Sequence, residues 1–178
     1  MRVFEIARVF SKDSDGLFVQ NERIGGLWYG AAMPEQWGEK TRNADFYDIK
    51  ADVENLLKNK AVEFVKTEHP ALHPGRAADI VSDGQVIGFV GELHPKWLQK
   101  YDLPQAPLVF EIDMAAVLER EKTRYQAVSK FQPVRRDLAF VVPEATTFEQ
   151  LQAALRGVES DLIQEITLFD VYRGAGLP

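Results

Sequence analysis

The sequence contains no cysteine. Disulfides, thiolate zinc ligands and cysteine nucleophiles are therefore excluded. Histidine is scarce, at three residues, which limits imidazole chemistry to very few places. Long hydrophobic runs are missing as well. A stretch such as Leu138–Val142 is strand-sized, far below the roughly 18–20 apolar residues of a membrane helix. Met1-Arg2 leads straight into "VFEIARVF", which has neither the apolar core nor the small-residue cleavage site of a signal peptide. These absences set the expectation of a cytoplasmic protein without membrane association. Excess positive charge is lacking too, since 21 basic residues face 27 acidic ones, a formal net charge of −6. Residues 1–124 carry 16 basic and 20 acidic side chains, and residues 125–178 carry 5 and 7. A broad basic face that coats nucleic acid is thereby excluded, and any RNA contact must be local.

What is there reads as an α+β protein. At 46% hydrophobic over 178 residues, a sizeable core is affordable, in one large domain or one domain plus a smaller piece. Strand formers fill "VFEIARVF" at 3–10, turn residues follow in "KDSDG", and "ERIGGLWYG" at 22–30 reads as the returning strand. In "NADFYDIKADVENLLKN", Phe46, Ile49, Val53, Leu56 and Leu57 recur at helical spacing, with Asn43 or Asp45 as N-cap. Strands are expected at 61–68, 76–82, 85–93 and 107–114, with Asp83-Gly84 as a tight hairpin turn. A short helix is expected at 94–102 and one or two helical turns in "AAVLERE".

Periodicity fades over 121–134, which places a domain boundary there and divides the chain into 1–124 and 125–178. Beyond it, a strand at 135–142, a helix at 147–158 and a strand at 162–172 form a βαβ unit, about half of a ferredoxin-like fold.

Few constellations carry chemistry. His69 and His73 lie four apart, but Pro70 and Pro74 follow them directly and break any helix that would align them as metal ligands. Asp13-Ser14-Asp15-Gly16 begins like a calcium loop, yet Ile24 stands where a bidentate glutamate is needed. No glycine pattern continues into a phosphate cradle. Glu5, Glu92 and Glu111 sit within strands and have Arg2, Arg8, Arg23 and Arg76 as candidate partners. Arg135-Arg136-Asp137 reads as a solvated strand start with a local Arg–Asp pair or, alternatively, as a phosphate contact. Tyr172-Arg173 suits base stacking beside a phosphate contact, although the same pair decorates ordinary strand ends.

Five ordered segments, "RVFEIARVF", "DFYDIKADVENLL", "HPGRAADI", "IGFVGELHP" and "LVFEIDM", resemble the catalytic-like module of the β subunits of bacterial phenylalanyl-tRNA synthetases. "SKFQPVRRDLAFVV" and "LFDVYRG" resemble the first strands of the same family's ferredoxin-fold anticodon-binding domain. Two departures stand out: Gln132 separates Phe131 from Pro133, and Ala51 replaces a common glycine. The resemblance implies a class II synthetase-like antiparallel sheet with flanking helices, followed by a truncated ferredoxin-like βαβ unit. It also implies that the chain is a piece of a longer polypeptide.

The family's reaction is ATP-dependent attachment of phenylalanine to tRNA(Phe) by an α2β2 assembly, with catalysis in the α subunit. ATP and Mg2+ would then be used elsewhere in the holoenzyme, and this chain would hold no cofactor, no metal and no catalytic residue. Its partners would be the α subunit and the tRNA(Phe) anticodon, with self-association of the truncated half-domain as a further expectation. By the resemblance, Asp170 would hydrogen-bond an anticodon base, Tyr172 would stack on it, and Arg173, Arg135 and Arg136 would meet backbone phosphates. Two other readings remain: a protein-interaction module without RNA contact, and a stand-alone ATP-using ligase, against which the lack of a glycine-rich segment with an ATP-clamping arginine after "LVFEIDM" speaks.

Overall fold

The computed structural model describes residues 1–58, 60–119, 125, 130–158, 160 and 162–174. Contacts divide the chain into two compact units, Met1–Tyr125 and Gln126–Pro178.

The first unit is built on one six-stranded antiparallel sheet. Its strands are β1 (Arg2–Lys12), β2 (Phe18–Trp28), β3 (Glu63–Lys66), β4 (Leu72–Ser82), β5 (Gln85–Leu93) and β6 (Leu108–Asp113). They lie in the order β1-β2-β6-β5-β4-β3, so the first hairpin joins the later strands through β6. Between them run the helices α1 (Phe46–Leu56) and α2 (Pro95–Tyr101), and α3 (Met114–Leu118) follows β6. Period-two alternation decides which face is buried. In β6, Leu108, Phe110 and Ile112 are buried, while Val109, Glu111 and Asp113 point to the other face. The register puts Ile24, Val90, Ala78 and Ile80 on the same face as Leu108, Phe110 and Ile112. There they meet Ile49, Val53 and Leu57 from α1 and the turn after it, which together form the core. Only Arg23–Trp28 of β2 pair with β6, so Arg8–Lys12 and Phe18–Glu22 run on as a two-stranded arm.

The caps follow the local sequence. Asp45 caps α1 by accepting from the Tyr47 and Asp48 N–H groups, and Asp48 accepts in return from the Asp45 N–H at 2.8 Å. Arg42 forks onto both Asp48 oxygens at 2.6 and 2.7 Å. This bonding holds the Asp48 carboxyl below its ordinary value. A carboxylate lowered in the folded state adds stability at pH values above its unfolded value, and that stability is lost as pH falls through the folded one. Asp48→Asn is therefore expected to cost about 1–3 kcal/mol at neutral pH in urea unfolding. The variant should also lose less further stability on acidification than the parent. Equal acid sensitivity in the two would remove this pair from the account.

The histidines serve turns. Each precedes a proline and accepts, through Nδ1, the N–H two residues on: His69 from Ala71 at 3.3 Å, His73 from Gly75 at 3.0 Å and His94 from Lys96 at 3.0 Å. The segment with a calcium-loop beginning is the β1–β2 turn, where Asp13 Oδ1 accepts from Asp15 and Leu17. Asp83 and Gly84 both take positive φ, 50° and 74°, as a two-residue primed turn requires.

Several boundaries move. β2 starts at Phe18 rather than 22. β4 starts at Leu72 rather than 76, passing through Pro74 because a register break between Leu72 and Ala77 removes the need for a ladder N–H there.

The larger correction concerns the second unit. Its helix α4 (Phe148–Arg156) forms with a Thr147–Gln150 capping box. The expected strands at 135–142 and 162–172 do not form; Asp161 lies outside the described residues. The βαβ expectation therefore reduces, among the described residues, to one helix between two unladdered segments. Strand hydrogen bonds need an adjacent partner, and the two outer strands of a split βαβ leave a gap between them instead of pairing with each other.

Candidate nucleic-acid interface

In the second unit, the α4 face carrying Phe148, Leu151 and Leu155 is half-buried. Gln152 Nε2 donates to the Ile166 carbonyl at 3.4 Å and ties the helix to the segment that follows. Along that segment Leu168, Phe169, Val171 and Tyr172 are all exposed, as are Leu138, Phe140 and Val141 in the other.

The residues singled out from the sequence fall on these two segments. Arg135 Nε donates to Asp137 Oδ1 at 3.1 Å, which is the local pair weighed above. Its guanidinium also lies 5.4 Å from the centre of the Phe169 ring, a cation–π contact that brings the two segments together. Arg136 Nη1 donates to the Arg135 carbonyl at 3.2 Å. Arg173 Nε faces Glu144 Oε1 at 3.9 Å, an exposed pair that adds little stability. Asp170 is exposed, and the Tyr172 ring lies against Gly174, where a Cβ would come within 2.6 Å of the phenolic oxygen. Exposed aromatic faces beside guanidinium groups suit a flipped-out base and its phosphate, and a carboxylate accepts from base N–H groups. Phe169 was not among the expected site residues. Its place between Leu168 and Asp170 reads as strand interior, and only the spatial contact with Arg135 reveals it.

The first unit has the opposite character. Each arginine among its described residues is paired with a carboxylate. Arg2 Nε donates to Asp52 at 2.8 Å, Arg8 reaches Glu22 at 3.5 Å, and Arg23 holds Glu111 at 2.8 Å and Asp113 at 3.1 Å. Arg42 holds Asp48 as described, and Arg76 holds Glu92 at 2.7 Å. Arg8 lies directly across from Glu22 on the sheet face that carries the core. Arg23 lies on the opposite face, its charge absorbed by two carboxylates. A triphosphate needs several uncommitted cations, and these arginines do not fit one. The described residues also hold no group of three or more metal-ligating side chains, and no helix among them is long and apolar enough to cross a membrane.

Comparison with known proteins follows the same division. Residues 1–114 match the family model "Phenylalanyl tRNA synthetase beta chain CLM domain", and residues 129–178 match "Ferredoxin-fold anticodon binding domain". The phenylalanine–tRNA ligase β subunit of Neisseria gonorrhoeae is 83% identical over 178 residues, which is all of this chain and 23% of that protein. That of Dechloromonas aromatica is 51% identical over 182 aligned positions, again all of the chain and 23% of the relative. That of Burkholderia lata is 46% identical across 97% of the chain and 23% of its own length. The chain thus spans about a quarter of the length of the curated relatives it matches. With one family model over the sheet unit and a second over the arginine- and tyrosine-bearing segments, the chain belongs to the phenylalanyl-tRNA synthetase β-chain family.

Proposed function

We propose that this chain supplies a noncatalytic part of a phenylalanine–tRNA ligase β subunit. Its first unit scaffolds assembly with the α subunit, and its second contributes to binding the tRNA(Phe) anticodon. Together they support an ATP-dependent aminoacylation whose chemistry, with ATP and Mg2+, takes place in the α subunit. The observation that carries this reading is the commitment of Arg2, Arg8, Arg23, Arg42 and Arg76 to carboxylates, which leaves the sheet unit no uncommitted arginine to clamp a nucleotide among the described residues. In the second unit, Tyr172 stacks on an anticodon base, Asp170 accepts from that base, and Arg173, Arg135 and Arg136 meet phosphates. A second reading, protein interaction without RNA contact, draws on the Arg135–Asp137 and Arg173–Glu144 pairs, which occupy two of those three arginines.

Arg8 provides the test of the scaffold role. Arg8→Ala in the full-length β subunit breaks one exposed ion pair, worth about 0–1 kcal/mol. Adenylate formation by the assembled enzyme should then stay within about twofold of the parent, since twofold corresponds to only a fraction of a kcal/mol. A loss of tenfold or more with assembly intact would show Arg8 acting on the nucleotide and refute the scaffold reading.

A further inference from the structure

Within the second unit, the segment that carries Asp170 and Tyr172 is tied along its length. Gln152 Nε2 of α4 holds the Ile166 carbonyl at one end, and the Arg173–Glu144 pair closes the other. Between these ties stands Phe169, whose ring centre lies 5.4 Å from the Arg135 guanidinium. Phe169 is 64% exposed, so burial does little to hold its ring. Asp170 follows it directly, and Tyr172 lies between it and Arg173.

Arg135 is fixed by the same contact. Its Nε donates to Asp137 Oδ1 at 3.1 Å, and its Cζ lies over the Phe169 ring. No hydrogen bond occupies its Nη groups among the described residues. A guanidinium is planar and carries its donors in a rigid fork, so fixing Nε and Cζ sets where the Nη groups point. A fork already oriented loses less freedom when it closes on a phosphate. Net charge does not supply that contact here. Over 135–144 and 165–173 three arginines stand among four carboxylates, and no positive excess gathers phosphate. The placement of single guanidinium groups decides instead.

We propose that Phe169 is a positioning residue for the RNA site, its ring orienting the Arg135 guanidinium toward a backbone phosphate of the tRNA(Phe) anticodon loop. This role rests on the anticodon-binding reading given above. The ring acts through Arg135 and makes no contact of its own with a base.

The test is the tRNA(Phe) affinity of the full-length β subunit, assembled with α, measured across a range of salt. Phe169→Leu keeps an apolar side chain and loses the ring face. It should weaken binding about two- to fivefold, the ratio to which an exposed cation–π contact converts. Its slope of log affinity against log salt should also become shallower by about 0.7, the share of one phosphate contact on a single strand. Phe169→Tyr keeps the ring face and should retain parental affinity and slope. Arg135→Ala should show the same shallower slope, and adding Phe169→Leu to it should cost nothing further. A merely structural role would lower the unfolding midpoint of Phe169→Leu and leave the salt slope alone.

Parental affinity and slope in Phe169→Leu, with Arg135→Ala weakened, would overturn the positioning role and leave the anticodon reading standing. Losses that add in the double variant would make Phe169 a direct RNA contact and overturn the role as well. So would weakened binding by Phe169→Leu with an unchanged slope. Parental affinity in Phe169→Leu, Arg135→Ala and Tyr172→Ala alike would overturn the anticodon reading itself.

Discussion

Gly88→Ala is expected to destabilise the sheet unit by about 3 kcal/mol or more, a large fraction of the stability of an ordinary domain. Gly88 sits in the middle of β5, facing Ile112 of β6 and Ile80 of β4. A Cβ there would collide with the Glu111 carbonyl oxygen and come within 2.9 Å of the Ile112 Cα. Both obstacles are backbone of a paired strand, so neither can rotate away. Relief requires β5 and β6 to separate at the point where Val90, Phe110 and Ile112 are buried. Gly38→Ala is the control: a Cβ at Gly38 has nothing within 4 Å, and its effect should stay within about 0.5 kcal/mol. Urea unfolding of the two variants compares them directly. Similar midpoints would mean that the close approach of β5 to β6 is not a constraint on the fold.

Tyr172→Ala in the whole enzyme should weaken tRNA(Phe) binding about tenfold or more while leaving phenylalanine activation unchanged. The size follows from stacking, since one base on an aromatic face contributes about 1–3 kcal/mol. Tyr172→Phe keeps the ring and should retain most of the affinity, which separates stacking from any hydrogen bond made by the hydroxyl. Filter binding or fluorescence titration at fixed salt measures both variants, because phosphate contacts make affinity salt-dependent. Parental affinity in Tyr172→Ala would remove Tyr172 from the RNA site. The second reading, interaction without RNA contact, would then gain the ground.

Much of the sheet unit is legible in the residues. The 3.6-residue spacing of Ile49 and Val53 marks the buried face of α1, and of the two candidate caps, Asn43 and Asp45, the structure uses Asp45. Asp83-Gly84 marks the β4–β5 hairpin, and the alternation of Leu108, Phe110 and Ile112 gives the inward side of β6. What the residues do not show is which strands become neighbours. β6 lies between β2 and β5, a placement that depends on long-range burial and not on local pattern. Pro74 hides the first part of β4, since proline argues against a strand and only the register break reconciles the two.

The second unit teaches a different lesson. "RRDLAFVV" and "LIQEITLFDVY" have strand composition, but composition supplies no ladder partner, and none forms among the described residues. The residues alone offered Tyr172-Arg173 and Arg135-Arg136 as RNA contacts or as ordinary strand ends, and only resemblance chose between the two and added Asp170. Asp170 carries no spacing that singles it out, and the Arg135–Phe169 contact joins parts of the chain that local reading cannot connect. In the sheet unit Glu111 and Glu92 were named as candidates and pair with Arg23 and Arg76, whereas Arg2 and Arg8 take Asp52 and Glu22, which lay outside that set. The cross-strand register that sets Arg8 opposite Glu22 on one face and Arg23 opposite Asp113 on the other needed the structure.

The division of labour between scaffold and catalyst is the central claim, and phenylalanine-dependent ATP–pyrophosphate exchange tests it most directly. It should be measured on purified full-length β subunit carrying this chain, first alone and then with the α subunit added. No exchange above background by β alone, with exchange appearing on addition of α, is the expected result. Exchange by β alone would contradict it, because the paired arginines of the sheet unit would then have to open onto a nucleotide.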